Sequence, residues 1–82
     1  MDIDFFLEKI LDIAKQYYPD AVADKVLIKK NKLFIYGRID DKWFKVIINK
    51  QKGDVRVYSP SKTIEHVLKR RLEEYVQNKR FI

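Results

Sequence analysis

The chain has no cysteine, only two glycines and two prolines, a single histidine, and no apolar run that approaches the ~20 residues of a membrane-spanning helix. Each shortage removes a class of protein. Without cysteine there is no disulfide framework, no thiolate metal site and no cysteine nucleophile. With one histidine and no Gly-rich phosphate loop, nucleophile triads, zinc sites and Walker-type nucleotide binding all lack parts, so neither an enzyme nor a cofactor is expected. The scarcity of glycine and proline leaves no linker-like stretch, which predicts one domain spanning residues 1–82 and regular structure rather than disorder. The start, Met1-Asp2-Ile3-Asp4, lacks the basic region of a signal peptide, and a soluble cytoplasmic protein with no membrane role is the expectation.

Apolar residues make up 46% of the chain and aromatic residues 13%, enough for a packed core. A chain of this length still buries only about 60–65% of the surface its unfolded form exposes, so modest stability is expected unless self-association adds to it. Abundant Lys, Ile and Tyr without Cys is also a thermophile-like composition.

The net charge of +6 is unevenly spread. Residues 1–24 carry six acids against two lysines, net −4, whereas residues 25–82 carry sixteen bases against six acids, net +10. Such asymmetry suits a polyanionic partner and says nothing about fold.

Between Leu33 and Tyr58 three short alternating segments are separated by Asp40-Asp41 and by Gln51-Lys52-Gly53-Asp54, the pattern of an antiparallel meander. Alternation sends Leu33, Ile35, Phe44, Val46, Ile48, Val55 and Val57 to one side and Phe34, Tyr36, Arg38, Trp43, Lys45, Ile47, Arg56 and Tyr58 to the other. The first set is plain core. The second mixes rings with cations. Upstream, Asp20 to Asp24 reads as a connector and Lys25 to Lys29 as a short strand with Val26 and Ile28 inward, either separate or continuous with the next. Gly37 inside a strand marks a bulge or a close approach of another backbone.

Helices flank this sheet. Ile3, Phe6, Leu7, Ile10, Leu11, Ala14 and Tyr17 recur at helical spacing, with Asp2 or Asp4 as cap and Pro19 as stop. The four acids Asp2, Asp4, Glu8 and Asp12 are read as a solvated face. Ser59-Pro60 predicts a second helix, capped by the hydroxyl with proline at the first helical position, and Ile64, Val67, Leu68, Leu72, Tyr75 and Val76 as its buried stripe. Pairs such as Glu65 with Lys69 and Arg70 with Glu73 or Glu74 are spaced to support it. Phe81 and Ile82 end the chain with two apolar groups free to dock on the core or on a second subunit. The fold class is therefore α+β: helix, three- or four-stranded antiparallel meander, helix, with both helices on one face of the sheet.

Candidate sites follow from that arrangement. Bases stacked on Phe34, Tyr36, Trp43 or Tyr58, with Arg38, Lys45 and Arg56 meeting phosphates, describe a single-strand platform. The same rings also serve as ordinary strand residues or as a dimer interface. A second basic surface would combine Lys62, Lys69 and Arg70 with Lys29, Lys30, Lys32, Lys50 and Lys52 at strand ends. His66 reads as solvated. Asp40, Asp41 and Asp54 would be the only candidates for a cation, although hairpin turns favour aspartate for their own backbone reasons.

The helix–sheet–helix order, with a second helix opening at Ser59-Pro60-Ser61-Lys62, resembles that of double-stranded RNA-binding domains. That family carries a lysine cluster and an alanine-rich run at this helix, whereas here only Lys62 stands at its start and the helix is crowded with charge. The expected function is a small non-catalytic nucleic-acid-binding protein, for DNA or RNA, with a homodimeric or partner-binding module as the alternative.

Overall fold

Where apolar and polar residues alternate, the chain forms strands, and where they recur at three and four, it forms helices. The computed structural model describes residues 3–79, with side chains described from Phe5 to Asn78. The elements are α1 (Ile3–Tyr17), β1 (Val22–Ile28), β2 (Lys32–Ile39), β3 (Lys42–Asn49), β4 (Asp54–Tyr58) and α2 (Lys62–Lys79). One antiparallel sheet of order β1-β2-β3-β4 results. The stretch before β2 is thus a strand of its own, a fourth one that departs from the double-stranded RNA-binding order. Capping by Asp2 or Asp4 and docking of Phe81 and Ile82 fall outside what is described.

Turn chemistry sets the register. Asp40 takes a left-handed backbone, φ 57°, in the two-residue connection that leaves Ile39 opposite Lys42. Aspartate tolerates that region better than most residues. At the next turn the Asn49 Oδ1 accepts from the N–H of Gln51 (3.0 Å) and of Lys52 (3.1 Å), and Gly53 supplies φ 74°. Both turns are built from residues that accept positive φ or hydrogen-bond their own backbone.

One face of the sheet is the core. Leu33, Ile35, Ile39, Phe44, Val46, Ile48, Val55 and Val57 are buried together with Phe6, Ile10 and Ala14 of α1 and Ile64, Leu68, Leu72 and Val76 of α2. No polar or charged residue is buried among those described. Both helices therefore cover the same side, and α2 packs along β4. Phe6 stacks on Tyr75 with ring centres 5.8 Å apart, joining the helices.

Several boundaries differ from expectation. The first strand begins at Val22 rather than Lys25, so Asp24 belongs to the sheet. Ile28 is paired with Leu33, yet it remains 55% exposed because it ends an edge strand. Tyr17 is also exposed, with the Arg71 guanidinium 5.2 Å from its ring centre, while Ile13 and Tyr18 pack on the core.

The second helix starts at Lys62, two residues later than Ser59-Pro60 implies. Ser61 is the cap: its Oγ accepts from the Ile64 N–H at 3.3 Å, and its carbonyl takes the first helical bond from Glu65. Ser59 and Pro60 form the turn before it, where the Ser59 Oγ accepts from the Ser61 N–H and the Glu65 carboxylate accepts from the Ser59 N–H. Glu65 is thereby spent on the cap and not on Lys69. The one intrahelical ion pair among the described residues is Arg71 with Glu74, at 3.6 Å. Ser61→Ala is expected to lower stability by about 1 kcal/mol in urea unfolding, the usual loss of an N-cap. Ser59→Ala should cost less, since its hydroxyl serves a single turn.

Gly37 sits where β1 is irregular. The β1–β2 register shifts between Ala23 and Lys25, leaving Asp24 as the extra residue of a bulge, and Gly37 pairs with Ala23 beside it. A Cβ on Gly37 would collide with the carbonyl oxygen of Val22 and lie 2.5 Å from the Phe44 ring. Bulge and close approach occur together, with the bulge on the neighbouring strand.

Candidate functional site

Strand pairing orders the helix-free face into rows. Leu27, Phe34, Ile47 and Arg56 stand opposite one another across the four strands, and so do Lys25, Tyr36, Lys45 and Tyr58. A shorter third row holds Val22, Arg38 and Trp43. Paired residues share a face, and neighbouring strands are ~4.8 Å apart, so each row is a line of touching side chains. Neither described helix lies over it. Trp43 is 54% exposed and Tyr58 41%, while Phe34, Tyr36, Lys45 and Ile47 are half-buried by their neighbours in the sheet.

The cations on this face are not equivalent. The Arg38 guanidinium donates from Nε (2.8 Å) and Nη2 (2.9 Å) to the two carboxylate oxygens of Asp24, the bulge residue. Its charge is matched before any ligand arrives. The Lys45 ammonium lies 5.6 Å from the centre of the Tyr36 ring, a cation–π contact that lays its stem along the face. Lys25 and Arg56 are exposed. In the two long rows the cations without a carboxylate partner among the described residues are Lys25, Lys45 and Arg56, whereas Arg38 is a partner of Asp24.

The hydrogen bond from Arg38, helped by its charge and opposed by partial desolvation, holds the Asp24 carboxyl below the usual carboxylate range. A carboxyl lowered on folding stabilises the fold above its unfolded value of about 3.9, and that contribution fades as pH falls through the lower folded value. The pair is exposed and surface screening keeps its effect small. A carboxyl-detected NMR titration should show Asp24 titrating below the ordinary range in the native chain. In Arg38→Ala it should return there.

At the same end of the sheet, in the β2–β3 turn, Asp40 is shifted upward, chiefly by a hydrogen bond with Asp20, then by desolvation and by the nearby Asp20 charge. Two carboxyls in contact resist simultaneous ionisation.

The loop lysines divide. The Lys50 N–H donates to the Asn31 carbonyl at 2.8 Å, which ties the β1–β2 turn to the β3–β4 turn. Lys29, Lys30, Lys32, Lys50 and Lys52 are gathered at that one end of the sheet, with Asp54 nearby. Lys62 is not among them. Because Tyr58 pairs with Lys45 near the start of β3, the chain enters α2 at the opposite end of the sheet. Lys69 and Arg70 are exposed on α2, in the helix layer, and so stand away from the ring-bearing face. The single basic surface expected from sequence is thus two separate ones.

Asp40-Asp41 and Asp54 are likewise parted by the length of β3, eight residues and about 25 Å. They do not converge on one cation. Among the described residues no group of three or more His, Asp or Glu side chains is placed to hold a metal ion, and His66 is exposed on α2. No described helix is long and apolar enough to cross a membrane.

No family model matches this chain, and neither does any curated protein or solved structure. Function has to be argued from the surface itself. Sequence alternation found the rings and their cationic neighbours. It missed Asp24 as the partner of Arg38, because a bulge brings together residues fourteen apart and nothing in the local pattern marks it.

Proposed function

We propose that the protein is a non-catalytic binder of single-stranded nucleic acid, DNA or RNA, using the helix-free face of the sheet. The supporting observation is the interleaving of rings, Trp43 and Tyr58 exposed and Tyr36 half-buried, with the cations Lys25, Lys45 and Arg56, next to five lysines gathered at one end of the sheet. Rings on an open sheet stack on unpaired bases, each worth ~1–3 kcal/mol, and a duplex offers no such bases. The lysine end supplies the salt-dependent phosphate contacts.

Titration of labelled single strands, with duplexes as controls, at low and moderate salt tests this reading. Single strands should bind in the micromolar range with quenching of Trp43, weaken steeply as salt rises, and outcompete duplexes. Absence of binding at tens of micromolar protein in low salt would sink it.

A second reading has its own support. The row Leu27, Phe34, Ile47 places three apolar side chains in line at the centre of the open face, suited to burial against a second copy. Sedimentation decides between them. A monomer whose Trp43 is accessible to a soluble quencher excludes the dimer, whereas a concentration-independent dimer with Trp43 shielded favours it.

A further inference from the structure

On the other side of the sheet, between α1 and β1, lies an apolar cavity of about 250 Å³. It exists because the two helices are held differently: α2 lies close along β4, whereas the backbone of α1 leans on α2 and stands farther from the strands. Leu7 and Leu11, one turn apart on α1, remain half-buried at its mouth and face Ala23 and Val26 of β1. Deeper in, the walls are Ala14, Phe44, Leu68 and Leu72, all buried. Glu8 is the one charged residue at the lining and is itself exposed, which sets it at the rim.

We infer that this cavity is a binding site for a medium-length alkyl ligand, tail inward, with an uncharged or cationic head beside Glu8. Water gains little in such a space. An enclosed cavity of roughly 150 Å³ lined by apolar side chains already stays dry and takes up benzene, and this one, larger and open at its mouth, has apolar walls everywhere but at the Glu8 rim. Since a cavity of roughly 150 Å³ accommodates the six carbons of benzene, about 250 Å³ suits a chain of about eight to ten carbons. A carboxylate head would meet the like charge of Glu8, while an alcohol or ammonium would not. The site is separate from the ring-bearing face and independent of the nucleic-acid reading.

The test is methyl-detected NMR of the full chain with octan-1-ol, octylammonium and octanoate. Octanol and octylammonium should shift the methyls of Leu7, Leu11 and Val26 saturably, in the millimolar range or tighter, and octanoate at least several-fold more weakly. Glu8→Gln should remove the discrimination between octylammonium and octanoate. Ala14→Leu, which fills the space from α1, and Ala23→Phe, which closes the mouth from an exposed strand position, should each weaken octanol binding tenfold or more. If Ala14→Leu unfolds, Ala23→Phe alone decides. Absence of methyl shifts, shifts centred on Ile47 of the opposite face, preference for octanoate, or undiminished binding by a folded cavity-filling variant would overturn the inference.

Discussion

Gly37→Ala is expected to remove about 3 kcal/mol of stability, read as a fall in the urea midpoint at unchanged slope. The added Cβ has nowhere to go. On one side is the Val22 carbonyl, which is backbone, and on the other the buried Phe44 ring at 2.5 to 2.8 Å. Overpacking a tight site typically costs 1–3 kcal/mol, and the upper end applies here because one of the two obstacles cannot rotate away. A domain of this length has of order 4–12 kcal/mol in total, so the variant should be marginal at body temperature. Combining it with Phe44→Leu separates the two obstacles. If the ring dominates, the double variant will be more stable than the sum of the two single losses, and if the carbonyl dominates, the losses will simply add. A midpoint unchanged in Gly37→Ala would mean that β1 does not lie against Gly37.

Trp43→Ala combined with Tyr58→Ala should weaken single-strand binding by at least about thirtyfold and leave the unfolding midpoint nearly unchanged. The magnitude follows from ~1–3 kcal/mol for each stacked base, summed over two rings that stand on different strands. Stability should survive because both side chains are about half exposed and neither belongs to the core. Arg38→Ala is the informative contrast. Since its guanidinium already serves Asp24, its loss should reduce affinity mainly by leaving the Asp24 charge unbalanced on the face, and Asp24→Asn in the same chain should restore much of the loss. Equal losses of binding and stability in the ring variant would return Trp43 and Tyr58 to a structural role.

The sheet was legible in the sequence because one buried face forces strict alternation. Every inward residue assigned between Leu33 and Val57 is buried. Each element's existence could be read from period, and so could the shared side of the two helices, since only one face of the sheet carries an uninterrupted apolar set. What could not be read depended on tertiary geometry. Val22 to Asp24 escaped because an edge strand with a bulge is mostly exposed and loses its alternation there. Ser59 and Ser61 offer the same hydroxyl two residues apart, and only the hydrogen bond to Ile64 distinguishes the cap from the turn before it. Tyr17 and Tyr18 are adjacent rings at a helix end, where the stripe gives no direction. For the candidate site, alternation supplied the rings and the sheet cations, whereas the split of Lys62 from the loop lysines required knowing which end of the sheet each turn occupies.

The extra residue in β1 has an effect beyond its neighbours. A straight strand approaching that margin from solvent would meet amide and carbonyl groups out of step at Asp24, which discourages backbone zippering along the start of β1. That steers a partner toward the broad face of the sheet and its side chains.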